Sequence, residues 1–221
     1  MQPTGVVRGD AGRRTRYERN VYVMSFTRNI VGAIALSALL AAPAYAQNHA
    51  IWIAAKGGGF NAVTNLDSAG TADFKKVGFD VGGAIGVDLQ RYVAIRADFT
   101  FARNQLRAAG VPTGNRLNRF FYDAAVQLQY PTAVGVEPYV FAGGGAVTLH
   151  EVGTSGQNKT KATGTAGLGV SYAVPGTGFG IFAEGQGWLY KAKDLGGSLA
   201  DYDKTQIELA WGGGVSYRLP F

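Results

Sequence analysis

The chain holds two histidines, His49 and His150, and no cysteine. Only His150 stands close in sequence to groups able to work with it: Thr148, Glu151 and Ser155. A histidine that takes a proton from a serine hydroxyl, oriented by a carboxylate, is the machinery of acyl transfer. Alternating periodicity argues against that use here. Successive strand residues point to opposite faces, so His150 and Glu151 should diverge, and a histidine at the rim of a sheet is the plainer expectation. The run from Gly153 to Thr160 nearly spells a phosphate-binding loop, with Asn158 where a glycine is needed. Such a loop works only between a strand and a helix N-terminus, and no helical period follows it. Asp194, Asp201 and Asp203 share one polar stretch and could hold a cation, but a solvated loop is the default for such a cluster. No catalytic, cofactor-binding or metal-ligating set is expected.

The ionisable residues that recur with meaning sit on strands. Lys56, Asp80, Asp88, Arg96, Asp98, Asp123, Glu184, Glu208 and Arg218 each fall on the parity opposite to the aliphatic residues of their own segment, a parity that Trp52, Phe182, Trp188 and Tyr190 share. From 206 to 221 the rule is at its clearest. Ile207, Leu209, Trp211, Val215, Tyr217, Leu219 and Phe221 alternate with Gln206, Glu208, Ala210, Ser216 and Arg218. Strict period two describes a strand with a different solvent on each face. Trp211 and Phe221 are ten residues apart on one face. At roughly 3.3 Å per residue and a tilt of roughly 40°, that spacing projects to about 25 Å, the height of the apolar band of a transmembrane barrel.

Seven earlier segments read the same way. About 49–58 opposes Ile51, Ile53 and Ala55 to Trp52, Ala54 and Lys56. About 76–89 opposes Val77, Phe79, Val81, Ile85 and Val87 to Asp80 and Asp88. About 92–103 opposes Val93, Ile95, Ala97, Phe99 and Phe101 to Arg96 and Asp98. About 119–130 opposes Tyr122, Ala124, Val126, Leu128 and Tyr130 to Asp123, Gln127 and Gln129. Segment 137–152 shows Tyr139, Phe141, Val147 and Leu149 on one face with Gly143 and Gly145. Segment 161–174 shows Ala162, Ala166, Leu168, Val170 and Tyr172. Segment 179–191 opposes Ile181, Ala183 and Leu189 to Phe182, Glu184, Gln186, Trp188 and Tyr190. Long and short connections alternate between these segments. One long connection is expected to be a loop of about a dozen residues around Gly110, Pro112 and Gly114. The expected fold is an all-β, eight-stranded antiparallel up-and-down transmembrane barrel, with short turns at one end and four longer loops at the other. Eight strands close a sheet with no free edge, and side chains largely fill the interior. Alternation alone leaves open which face is wet. A water-soluble eight-stranded barrel would carry its charges outside.

The N-terminal part favours the membrane. Met24 opens a short segment with one charge, Arg28. An apolar run of 14 residues, Ile30 to Pro43, ends in Ala44-Tyr45-Ala46 before Gln47. That is the pattern of a secretory signal peptide over 24–46, cleaved between Ala46 and Gln47. It is shorter than the roughly 20 residues of a spanning helix. Residues 1–23 read as an upstream extension or a mis-set start, and 47–221 as one domain. Six of 21 Lys and Arg and two of 15 Asp and Glu precede Gln47. The remainder carries 15 basic and 13 acidic residues, a net of +2, so the high overall pI is no sign of nucleic-acid binding. A mean hydropathy of +0.01 is what faces that average out should give.

The strand Pro138 to Gly145, the strand Tyr92 to Phe99 and the C-terminal run together resemble the small bacterial outer-membrane β-barrel proteins of the OmpA/OmpX type. The resemblance spans 47–221. It implies residence in the outer membrane of a diderm bacterium among lipid and lipopolysaccharide, delivery by periplasmic chaperones, and a monomeric state. Trp211, Val215, Tyr217, Leu219 and Phe221 match the family's terminal signal for the outer-membrane assembly machinery, with Pro220 as a departure. The role so implied is non-enzymatic: envelope integrity or surface contact through the outer loops. A lipid A- or phospholipid-modifying enzyme and a narrow pore are the alternatives.

Overall fold

The computed structural model describes residues 50–64, 72–74, 77–108, 111–152, 158–193 and 204–219, with the backbone alone at 72–74, 106–108, 111–115 and 151. Period-two segments become nine strands: β1 (Ile51–Ala62), β2 (Ala72–Phe74), β3 (Gly78–Gln90), β4 (Val93–Ala108), β5 (Val111–Gln129), β6 (Val136–Val152), β7 (Lys159–Ala173), β8 (Phe179–Ala192) and β9 (Lys204–Leu219). Each long strand pairs antiparallel with its neighbours. β1 joins β3 on one side and β9 on the other, and the β4–β5 pairing closes the circle. Eight strands thus form a closed antiparallel barrel, and the short β2 adds three residues beside the far end of β4.

Burial follows parity around the cylinder. Val126 is 52% exposed and Leu168 65%, whereas Glu208, Arg119 and Thr100 are fully buried. The apolar side is outside and the polar side is within, the arrangement of a barrel in lipid. Short connections at 91–92, 130–135 and 174–178 lie at one end with Ile51 and Leu219. Gly135 (φ 80°) and Gly176 (φ 73°) take the left-handed conformation there, which a Cβ would disfavour.

Two features differ from the sequence reading. The expected loop around Gly110 is mostly strand: β4 runs on to Ala108 and β5 starts at Val111, paired at Ala108↔Val111 and Arg107↔Pro112. Alternation reports two solvents, and it stops where both faces are in water, while backbone pairing does not. Pro112 fits because β6 pairs with β5 only from Arg116 onward, so no second ladder asks for its N–H. The second difference is in β6. Tyr139, Phe141, Val147 and Leu149 face inward and are buried, and its outward residues are mostly small: Val140, Ala142, Gly144 and Ala146. Here the bulk fills the lumen. Residues 1–47 with the expected leader and its cleavage junction, and also His49, Ser155, Asp194, Asp201, Asp203, Pro220 and Phe221, lie outside the described residues.

Candidate functional site

The inward residues stack in layers. At the short-turn mouth, Arg218 lies 3.2 Å from Asp88 and 3.9 Å from Glu137. Gln129 donates to Asp88 at 3.2 Å, and Gln127 donates to Gln129 at 2.9 Å. A cavity of ≈ 190 Å³, lined in part by Trp52, Gln129, Glu137, Phe182 and Arg218, opens from this mouth and ends on Arg96 and Glu184.

Those two residues belong to the next layer. Arg96 grips Asp98 through Nε (2.8 Å) and Nη2 (2.6 Å), and reaches Glu184 through Nη1 at 2.8 Å. Lys56 donates to Gln186 at 2.6 Å and to Glu184 at 3.0 Å, and lies 3.4 Å from Asp98. The Tyr139 hydroxyl donates to Glu184 at 3.0 Å, and the Arg96 guanidinium sits 4.1 Å over the Phe141 ring. β4 and β8 have three strands between them in either direction round the circle. The Arg96–Glu184 contact can therefore form only straight across the lumen.

Above it lies an aromatic layer. Phe121 stacks on Trp188 with ring centroids 4.3 Å apart, and Phe60 packs on both at 6.1 and 6.2 Å. The indole N–H of Trp188 donates to Asp123 at 2.6 Å. Beyond this, Arg119 Nε lies 2.7 Å from Glu208, Tyr190 donates to the same carboxylate at 3.0 Å, and Arg119 donates to Asn104 at 3.0 Å. Leu117, Val147 and Leu149 close round these groups. Burying an ion is costly unless it is paired, and each cation of these layers has a carboxylate against it.

Seven of the nine sequence-selected charges are buried, Lys56 is partly buried with its side chain turned inward, and Arg218 is half-exposed at the mouth. Lys56, Arg96, Asp98 and Glu184 meet in one cluster, Arg218 joins Asp88, Asp123 serves Trp188, and Glu208 serves Arg119. Asp80 stands apart, its Oδ1 buried and without a hydrogen-bond partner among the described residues. Sequence reasoning passed over Arg119, although it shares the parity of Asp123 four residues on. His150 is on the outward parity, and its Nδ1 lies 2.7 Å from the Asn158 Oδ1. Of the terminal signal, Trp211 and Val215 are exposed on the outer wall, Tyr217 packs against Phe179 at 4.9 Å, and Leu219 ends β9 opposite Ile51. Among the described residues no group of three or more His, Cys, Asp or Glu could hold a metal ion.

A closed eight-stranded cylinder, apolar outside and ion-paired inside, defines the class of small transmembrane β-barrels. Residues 32–221 match the model of the outer membrane protein beta-barrel domain, and the chain belongs to that family. In fold it is similar to the neisserial surface protein A, NspA (17% identity, TM-score 0.57, 78% of this chain and 100% of that one). It is also similar to OprG of Pseudomonas aeruginosa (11% identity, TM-score 0.50, 78% and 96%). No curated protein matches the chain.

Proposed function

We propose that the protein is a non-conducting, non-enzymatic barrel of the outer membrane that supports the envelope and meets its surroundings through the connections at the long end. On this reading residues 24–46 are removed as a signal peptide between Ala46 and Gln47. Chaperones carry the chain across the periplasm, and the assembly machinery reads its C-terminal strand and inserts it as a monomer among lipid and lipopolysaccharide. The observation that carries the reading is the filled lumen. The cavity at the short-turn mouth ends on Arg96 and Glu184, and an aromatic layer and a second ion pair lie beyond it. Among the described residues the hydrogen-bond partner of His150 is the amide of Asn158, and this favours a structural role over acyl transfer.

Planar-bilayer recording of the purified chain tests the closed lumen. Silence is expected, and steady single-channel conductance would overturn it. Mass spectrometry of lipid A from cells with and without the protein tests the absence of lipid chemistry. Identical acylation is expected, and a difference would return the enzymatic reading.

A further inference from the structure

Charge on the barrel is sorted by sign as well as by face. Among strand residues whose side chains are described, the carboxylates Asp80, Asp88, Asp98, Asp123, Glu137, Glu184 and Glu208 all take the inward parity, and the charged residues of the outward parity are Arg103, Arg116 and Lys191. Two of these three are adjacent. Arg103 pairs across β4–β5 with Asn118, and Arg116 is the next outward residue on β5, a diagonal separation of about 7–8 Å. Arg103 donates from Nε to the Asn118 Oδ1 at 2.7 Å, and its guanidinium rests 5.6 Å from the Phe101 ring centroid. These contacts fix the planar group and leave both Nη atoms without a hydrogen-bond partner among the described residues. Among the described residues neither Arg103 nor Arg116 has a carboxylate partner.

Toward the middle of the wall, directly beside the arginines, the outward residues are aromatic. Phe101 lies 5.2 Å from Phe120 and 6.0 Å from Phe79, and Phe99 lies 5.5 Å from Tyr122. Along the other direction the row continues from Asn118 to His150, which is bonded to Asn158. A fixed guanidinium fork beside a second cation suits a phosphate. Asn118 is buried under Arg103, and the partly exposed His150 and the exposed Asn158 at the end of the row suit the hydroxyls of a sugar. The ring shelf suits acyl chains.

We propose that the outer wall of β3, β4 and β5 holds one phosphorylated, acylated glycolipid of the outer leaflet, with its phosphate on Arg103 and Arg116 and its chains on the Phe79–Phe101–Phe120 shelf. This rests on the outer-membrane reading above, which sets the long-connection end toward the outer leaflet. A soluble phosphate would have no use for the shelf, and a phospholipid none for the polar row.

Native mass spectrometry of the full chain in detergent, titrated with bisphosphorylated lipid A, tests it. Arg103→Gln with Arg116→Gln should weaken binding by about tenfold or more, the effect of losing hydrogen bonds to a charged group. Arg91→Gln, at the opposite rim, should leave it unchanged. Dephosphorylated lipid A and phosphatidylglycerol should bind the wild type more weakly, and inorganic phosphate should not compete. Equal binding by the double variant, by phosphatidylglycerol or by dephosphorylated lipid A would overturn the site, as would displacement by inorganic phosphate. Arg116→Gln alone removes no hydrogen bond or ion pair made among the described residues, so it reports even where the double variant fails to fold. A gel shift on boiling is read on the same samples, and outer-membrane fractionation on the cells that express each variant. If both persist while lipid selectivity is lost, the site fails and the outer-membrane reading stands.

Discussion

Arg119 and Glu208 are both fully buried, and such a pair holds its place by mutual dependence. Removing one ion strands the other in a medium that solvates it poorly, whereas removing both removes the problem. Arg119→Met should lower the unfolding free energy in urea by about 3–5 kcal/mol, and Glu208→Leu added to it should recover most of that loss. Independent, additive losses would mean that water reaches the pair. The same argument applies to Arg96, which answers two carboxylates at once. Arg96→Met should cost at least as much as Arg119→Met in the same assay, and a smaller cost would show that the mouth cavity hydrates Asp98 and Glu184. Parity gathers Arg96, Asp98, Glu184 and Glu208 on one face, and the membrane reading of the N-terminal part turns that face inward. The pairing was not readable, because partners on β4 and β8 meet across a lumen whose geometry depends on strand tilt and register. Arg119 was passed over because it stands at the edge of an alternating segment, where the apolar half of the pattern fades.

At the scale of the strand, narrow barrels bend sharply, and the inward side of a bend has no room for a Cβ. At Gly145 an added Cβ would run into the backbone carbonyl of Tyr122 on β5, and at Gly143 into that of Ala124. Gly164, one strand over on β7 and on the outward parity, would meet nothing within 4 Å. Gly145→Ala should therefore reduce the yield of the heat-modifiable folded form severalfold, and Gly164→Ala should leave it unchanged. Equal yields would mean that β5 and β6 separate at no cost. Elsewhere an inward glycine makes room for an aromatic on the facing strand: Trp52 covers Gly86, Phe141 covers Gly167 and Tyr139 covers Gly169. The sequence puts Gly143 and Gly145 on one face of their segment, but it does not tell which strand edge each touches. The β4–β5 extension was unreadable for a related reason. The alternation that marks a strand in lipid has no cause beyond the membrane, where only the ladder of hydrogen bonds continues.

For the whole molecule, one distribution decides between lipid and water as the outer solvent. Trp52 and Trp188 are buried in the lumen, and Trp211 is 58% exposed on the wall, lying over Gly59. These three are all the tryptophans of the chain, so fluorescence can sample both faces separately. With Trp52→Phe and Trp188→Phe in place, the remaining Trp211 emission in reconstituted vesicles should be strongly quenched by brominated acyl chains and barely by aqueous iodide. With Trp211→Phe instead, the two inner indoles should escape the brominated chains, since a sheet and a layer of lumen side chains stand between. The Trp188 ring, stacked on Phe121 and bonded to Asp123, should also emit with little response to iodide. An outer wall that lipid does not touch would give the opposite result, with Trp211 quenched by iodide and blind to bromine. That outcome would turn the cylinder into a water-soluble barrel with an exposed apolar coat. Such a coat is a surface of the kind that drives aggregation, so the vesicle result and the solubility of the detergent-free chain must agree.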